Sequence, residues 1–396
     1  MELVVARVDR PSVAGVQTGM KGSIKHAIAT TGLLIGLLHV ACSTGLAPRD
    51  VPTPAPPEPT PTPRELVLPP DDRSHSAPIE WWYYNGHLKS EAGEEYSFHY
   101  VIFQTEDSDS GSQTEFGQAG ITDIQKGKHT YISSERLGSS RSLTENDDNS
   151  LLNLQLGNFD LEIAADGSHT FSAHDLDGTS ALELATEIPT EVMLHDRIGW
   201  MDWPFGWTYY YSYPRMQANG ALMIDDQSVD VKGEVWFDHQ WGDFFVVGKP
   251  AGWQWFAIHL DDHRSLMIAE VRGAEGEVLA IDGTLIQSGS DQRVLDVEQD
   301  GIELEVQEYW TSPRTAGEYP AKWRLRIDSI DLDIVMTPAI ADQEIPALPY
   351  GNQAAAYWEG RVDVTDTASG ESLGRGFAEL SGYVEPEPLS WRGERR

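Results

Sequence analysis

In two phrases of this chain, bulky aromatics and ionisable groups follow a two-residue period, and that spacing constrains the fold more than any other feature. The first phrase is Glu80-Trp81-Trp82-Tyr83-Tyr84-Asn85-Gly86-His87-Leu88, and the second is Trp236-Phe237-Asp238-His239-Gln240-Trp241-Gly242. Side chains two residues apart share one face of a β-strand, so both phrases read as strands. From Val231 to Trp241, one face carries Val231, Gly233, Val235, Phe237, His239 and Trp241, and the other carries Lys232, Glu234, Trp236, Asp238 and Gln240. The first face is the more apolar. His239 and Trp241 are therefore expected to point into a core, and Asp238 away from it. By the same alternation Glu80, Trp82, Tyr84, Gly86 and Leu88 face inward. Desolvation raises a carboxyl pKa and lowers an imidazole pKa, which brings an inward Glu and an inward His towards neutral pH, where proton transfer is useful. The bland alternative is that each side chain only hydrogen-bonds backbone at a barrel end.

The same pattern of short apolar runs and polar turns continues almost to the end. Ser90-Glu91-Ala92-Gly93, Asp225-Asp226-Gln227-Ser228 and Asp261-Asp262-His263-Arg264 each separate two such runs as a hairpin turn would. Long helical periodicity is hard to find. An all-β chain of this length predicts two antiparallel barrels or sandwiches in tandem, residues 78–247 and 248–386, divided near Val246–Gly252, with a tail at 387–396. Eight prolines from Pro48 to Pro63 predict an extended, unpacked spacer over residues 46–70, within a linker spanning 42–77.

Sixty-three acidic against 28 basic residues give a net charge of −35. Nucleic acid is excluded as a partner, because phosphate binding needs clustered Lys and Arg. The one cysteine, Cys42, rules out an intramolecular disulfide. It follows a basic stretch (Met20–Lys25), an apolar run (Ala27–Val40) and Ala41, an order that resembles a bacterial lipoprotein signal peptide over residues 1–41 with Met20 as the preferred start. Acylated Cys42 would then tether the chain to the outer side of a membrane in the bacterial cell envelope. Plain secretion is the alternative.

Several phrases in order carry a family resemblance: Glu80-Trp81-Trp82-Tyr83, Tyr209–Arg215, Gly233–Gly242, Gly252-Trp253-Gln254-Trp255-Phe256, Trp310-Thr311-Ser312-Pro313, Tyr357-Trp358-Glu359-Gly360 and Gly382-Tyr383. Together they resemble the carotenoid 1,2-hydratase and AttH-like family over about residues 78–385. The resemblance implies two lipocalin-like antiparallel β-barrels, an apolar cavity and neither metal nor organic cofactor. For the hydratase branch it implies protonation of an isolated alkene and addition of water to the tertiary cation. His239 and Asp238 would then be the acid/base pair, with Glu80 as an accessory carboxylate. Trp241 and Trp253 would face the cation, and Trp82, Tyr84 and Tyr211 would complete the ligand-binding wall. Gln254 stands where secreted members of the family usually carry Asp.

A hydrolase of the Gly-x-Ser-x-Gly type is not supported: the one match, Gly370-Glu371-Ser372-Leu373-Gly374, is not followed by the helical periodicity that a nucleophile elbow requires. His259, Asp261, Asp262 and His263 superficially resemble metal ligands but read better as a strand and a tight turn. The non-enzymatic reading is a carrier of a hydrophobic small molecule, working with an ABC-type membrane transporter. Both readings need a cavity and differ on whether a proton is transferred.

Overall fold

The two-residue period of the sequence becomes two long antiparallel sheets. The computed structural model describes residues 60–106, 113–138, 150–203, 205–244, 252–287, 291–347 and 355–385. The expected signal peptide, Cys42, the prolines before residue 60, most of the expected junction and the tail lie outside the described residues.

The first sheet contains β1 (Ile79–Ser90), β2 (Glu95–Glu106), β3 (Gln113–Asp123), β4 (Lys128–Gly138), β5 (Ser150–Leu156), β6 (Phe159–Ala164), β7 (His169–His174), β8 (Ala181–Thr186), β9 (Met193–Leu194), β10 (Trp200–Trp203), β11 (Gly206–Ile224) and β12 (Gln227–Phe244). The second contains β13 (Gly252–Leu260), β14 (Ser265–Arg272), β15 (Val278–Gln287), β16 (Asp291–Leu295), β17 (Ile302–Thr311), β18 (Glu318–Ile327), β19 (Leu332–Pro338), β20 (Glu344–Ile345), β21 (Tyr357–Asp366) and β22 (Ser372–Leu380).

Both sheets follow one plan. The first strand pairs with the last, β1 with β12 and β13 with β22, and the two edge strands are consecutive in the chain, β4 with β5 and β16 with β17. A sheet built this way has to curl back on itself. Among the described residues no ladder joins the edges, so each sheet is a near-barrel rather than the closed barrel of a lipocalin. In the first, the edges meet through side chains. Gly117 on β3 lies against the Phe159 ring on β6, where an added Cβ would come within 2.7 Å of the ring. The β11–β12 hairpin turns through Asp225 and Asp226 at φ 52° and 62°, the left-handed pair that a two-residue primed turn requires. No helix among the described residues is long and apolar enough to cross a membrane.

Alternation sorts the aromatics into different cores. Trp82, Tyr84, Phe237 and Trp241 fill the first near-barrel, and Phe256, Trp323 and Trp358 the second. A third apolar layer lies between the outer faces of the two sheets and contains Tyr83, Tyr210, Trp236, Trp255 and Met267, with Trp81, Phe103, Trp203 and Trp253 packed on it. Strand β1 and the 235–242 part of β12 are thus buried on both faces.

The spacer expectation needs correction for its last part. Residues 60–77 do not hang free. Leu66 and Leu68 pack on the first core, Arg64 forks onto Asp71 at 2.7 and 2.8 Å, and Asp72 is fully buried. Its carboxylate accepts hydrogen bonds from the Tyr211 and Tyr213 hydroxyls. Proline-rich composition predicts extension only where nothing apolar intervenes, and Leu66 and Leu68 give this stretch a face to bury.

Candidate active site

The two aromatic phrases, on β1 and β12, build a closed polar cluster. Antiparallel pairing sets Trp82 of β1 opposite His239 of β12, and Glu80 opposite Trp241. His239 is fully buried; its Nε2 lies 3.1 Å from Glu80 Oε1 and its Nδ1 3.0 Å from the Tyr211 hydroxyl. His75, from the lead-in segment, places Nδ1 2.9 Å from the same Glu80 oxygen and stacks on Trp241 with 3.7 Å between centroids. Burial presses the His239 pKa down to about 4, against the opposing pull of Glu80. Burial would raise the Glu80 pKa, but hydrogen bonds from His239 and His75 outweigh it and hold the carboxyl below its ordinary value.

This cluster is not a ligand pocket. Glu80, Trp82, Tyr84, Tyr211, His239 and Trp241 all face the interior of the first near-barrel, where the Trp82, Tyr211 and Trp241 rings surround His239. The inward orientation expected of His239, Trp241 and Glu80 holds, but their expected place in the wall of a cavity does not. The physical reason is that bulky aromatics on one inward face fill the barrel they enclose.

The cavity lies on the other face. About 710 Å³ of space opens between the two sheets, lined by Trp81, Tyr83, Phe103, Tyr210, Asp238, Trp253, Trp255, Asp282, Glu359 and Glu379, among others. This is within the size range of sites for drug-sized ligands, about 300–1,000 Å³. Asp238 and Trp253, both expected at the site, are in its wall. Among the described lining residues there are six carboxylates and no Lys, Arg or His. A second depression of about 910 Å³ runs along β5–β8, β11 and β12, but its wall is largely polar and Phe171 is its one aromatic.

Indole N–H groups hold the carboxyls of the cavity. Trp236 Nε1 donates to Asp238 Oδ1 at 2.6 Å, Trp253 Nε1 to Glu379 Oε1 at 2.9 Å, and Trp203 Nε1 to Asp282 Oδ2 at 3.1 Å. Ser212 Oγ also donates to Asp238 Oδ1, and the Tyr210 hydroxyl donates to Asp238 Oδ2 at 2.8 Å while accepting from Trp255 Nε1 at 2.9 Å. Behind Ser212 sits His195, with Nε2 2.8 Å from Ser212 Oγ and Nδ1 3.0 Å from Thr284 Oγ1. Serine, histidine and aspartate are therefore adjacent, but the carboxylate engages the serine and not the imidazole, so no hydrolase triad is formed.

Neutral donors orient a carboxyl without supplying the positive charge that would keep it ionised. Burial therefore dominates. It pushes the Asp238 carboxyl up to about 7, against the lowering effect of Ser212, Trp236 and Tyr210. Asp282 rises to about 6 by burial, and Glu359 and Glu379 rise well above the ordinary carboxylate range for the same reason. Glu359 Oε2 lies 3.0 Å from His99 Nδ1, and burial holds that imidazole down at about 3. A wall of aromatic faces and buried carboxyls that hold their protons more tightly than usual can deliver a proton and then stabilise a cation.

A family model described as AttH-like matches residues 59–383. The chain belongs to the AttH-like family. Its fold matches the crystal structure of an AttH protein from Nitrosomonas europaea, at 25% identity and a TM-score of 0.71, covering 81% of this chain and 98% of that one. It also matches kievitone hydratase from Nectria haematococca, at 15% identity and a TM-score of 0.61, covering 80% and 93%. No curated protein sequence matches. In this AttH-like chain, sequence reasoning missed Tyr210, Trp255, Asp282, Glu359 and Glu379 as site residues. Alternation in Gly252–Phe256 already put Trp253 and Trp255 on one face, and the outward face of β12 already joined Trp236 to Asp238. Gln254 faces the second core, where it accepts from Trp323 Nε1 at 2.8 Å, so its departure from the family pattern does not alter the cavity.

Proposed function

We propose that the cavity between the sheets binds a long hydrophobic alkene, of isoprenoid type, and adds water to it with protonated Asp238 as the acid. The observation that carries this reading is a buried carboxyl poised near neutrality in an aromatic wall without a basic side chain. The acid role that the sequence suggested for His239 passes to Asp238, which is exposed to the cavity. Asp238 gives its proton to the less substituted alkene carbon, and the π electrons form the new C–H bond. The resulting tertiary cation lies between aromatic faces and carboxylates. Water adds to the cation, and its surplus proton returns to Asp238.

Incubating the purified protein with geranylgeraniol in ¹⁸O-labelled water tests this. A product heavier by one labelled water supports hydration. Ligand that quenches the fluorescence of the cavity tryptophans but is recovered unchanged would replace it with the carrier reading. The envelope tether at Cys42 and a transporter partner stay proposals that rest on the sequence alone.

A further inference from the structure

We propose that His75, Glu80 and His239 bind one divalent transition-metal ion of the zinc class, which clasps the lead-in segment to the mouth of the first near-barrel. The inference stands apart from the hydratase reading, since none of the three residues lines the cavity between the sheets.

The donor set is two imidazoles and a carboxylate, a combination zinc favours with a fourth position left for water. One ring nitrogen of His75, one of His239 and a Glu80 oxygen lie within 4.8 Å of one another, and His75 Nδ1 and His239 Nε2 are the nitrogens nearest Glu80 Oε1. Glu80 and His239 are buried, and His75 keeps 14% of its side chain exposed, which leaves an approach for the ion and a water.

Two further observations point to a cation at the centre. Glu80 Oε1 is crowded: the backbone N of His75 at 2.9 Å, His75 Nδ1 at 2.9 Å and His239 Nε2 at 3.1 Å all converge on it. An ion in place of the two ring protons would relieve that convergence. The outer nitrogen of His239 is also placed as a metal-bound histidine requires, facing an orienting partner, and that of His75 has a carboxylate nearby. His239 Nδ1 is 3.0 Å from the Tyr211 hydroxyl, and His75 Nε2 is 3.7 Å from Asp71 Oδ1. Tyr211 has a single hydroxyl hydrogen and it donates to Asp72. His239 Nδ1 must then be the donor to Tyr211, which leaves Nε2 as the ring atom facing the Glu80 oxygen. Either a proton or a metal ion has to sit between those two atoms. The competing arrangement puts a proton on Asp72, reverses the chain and leaves a metal-free hydrogen-bonded relay.

The full chain, freed of metal with a chelator and then titrated with Zn²⁺ by calorimetry, separates the two. The expected result is one tight Zn²⁺ per chain and, with Co²⁺, the intense visible bands of a four-coordinate site. His75→Ala, a change at the partly exposed ligand, should weaken Zn²⁺ binding by more than ~100-fold, beyond the 10–100-fold that loss of an orienting partner costs. No stoichiometric Zn²⁺ binding, a pale six-coordinate Co²⁺ spectrum, or unchanged affinity in His75→Ala each overturns the proposal. The Co²⁺ spectrum of the unaltered protein decides the matter even if the variant does not fold.

Discussion

Replacing Asp238 by Asn tests the proposed chemistry with little change of shape. The amide oxygen can still accept from Ser212 and Trp236, and the Tyr210 hydroxyl can turn to accept from the new amide N–H. What disappears is the proton. Loss of a general acid costs about 10²–10⁴ in turnover, while affinity for the hydrocarbon should hardly move because the aromatic wall is intact. The titration of Asp238 makes a second, independent forecast. Its carboxyl goes from 3.8 to about 7 on folding, so the folded state holds the proton more tightly than the unfolded chain. Stability from this group is complete below pH 3.8 and is lost as pH rises through about 7. Three units at about 1.4 kcal/mol each predict that the unaltered protein loses roughly 4 kcal/mol relative to Asp238→Asn between about pH 4 and pH 7. If Asp238 is the acid, turnover should fall tenfold per pH unit above about 7, as the acid form is depleted. Urea unfolding across pH and ¹⁸O incorporation read the two effects separately. Full turnover in Asp238→Asn, or a rate independent of pH between about 6 and 9, would refute the assignment of the acid.

Gly117→Ala should destabilise the first near-barrel by about 1–3 kcal/mol in urea unfolding, because the new methyl meets the Phe159 ring across the seam; equal or greater stability would show that the seam yields. Asp72→Ala strands the hydroxyl hydrogens of Tyr211 and Tyr213, so a loss of about 1–3 kcal/mol is expected by the same assay. Limited proteolysis of that variant should also show easier tryptic cleavage after Arg73, and an unaltered cleavage rate would mean that the lead-in segment is held elsewhere. Cys42→Ser should release the protein from membranes or leave it unprocessed; a normally processed, membrane-bound variant would end the lipid-anchor reading.

Much of the fold could be read before any tertiary contact was known. The two-residue period assigned strands, the Asp-rich breaks assigned hairpins such as Asp225-Asp226, and the ordered phrases assigned the family. Local alternation also put Glu80, His239 and Trp241 on one inward face, since a strand's faces depend only on its own backbone. It could not say which face opens on empty space. Trp81 and Tyr83 are as apolar as Trp82 and Tyr84, so β1 carries two faces that each seek burial. Only the second sheet, packing across the outer face, turns Asp238 from a side chain pointing away into the wall of a cavity. His75 was hidden for a related reason: nothing in a stretch beside so many prolines shows that it folds back onto Trp241. Periodicity records which side chains share a face, but the void between two curled sheets depends on how their twisted outer surfaces fail to meet. That mismatch arises between residues as distant as Trp81 and Glu379, and no local pattern encodes it.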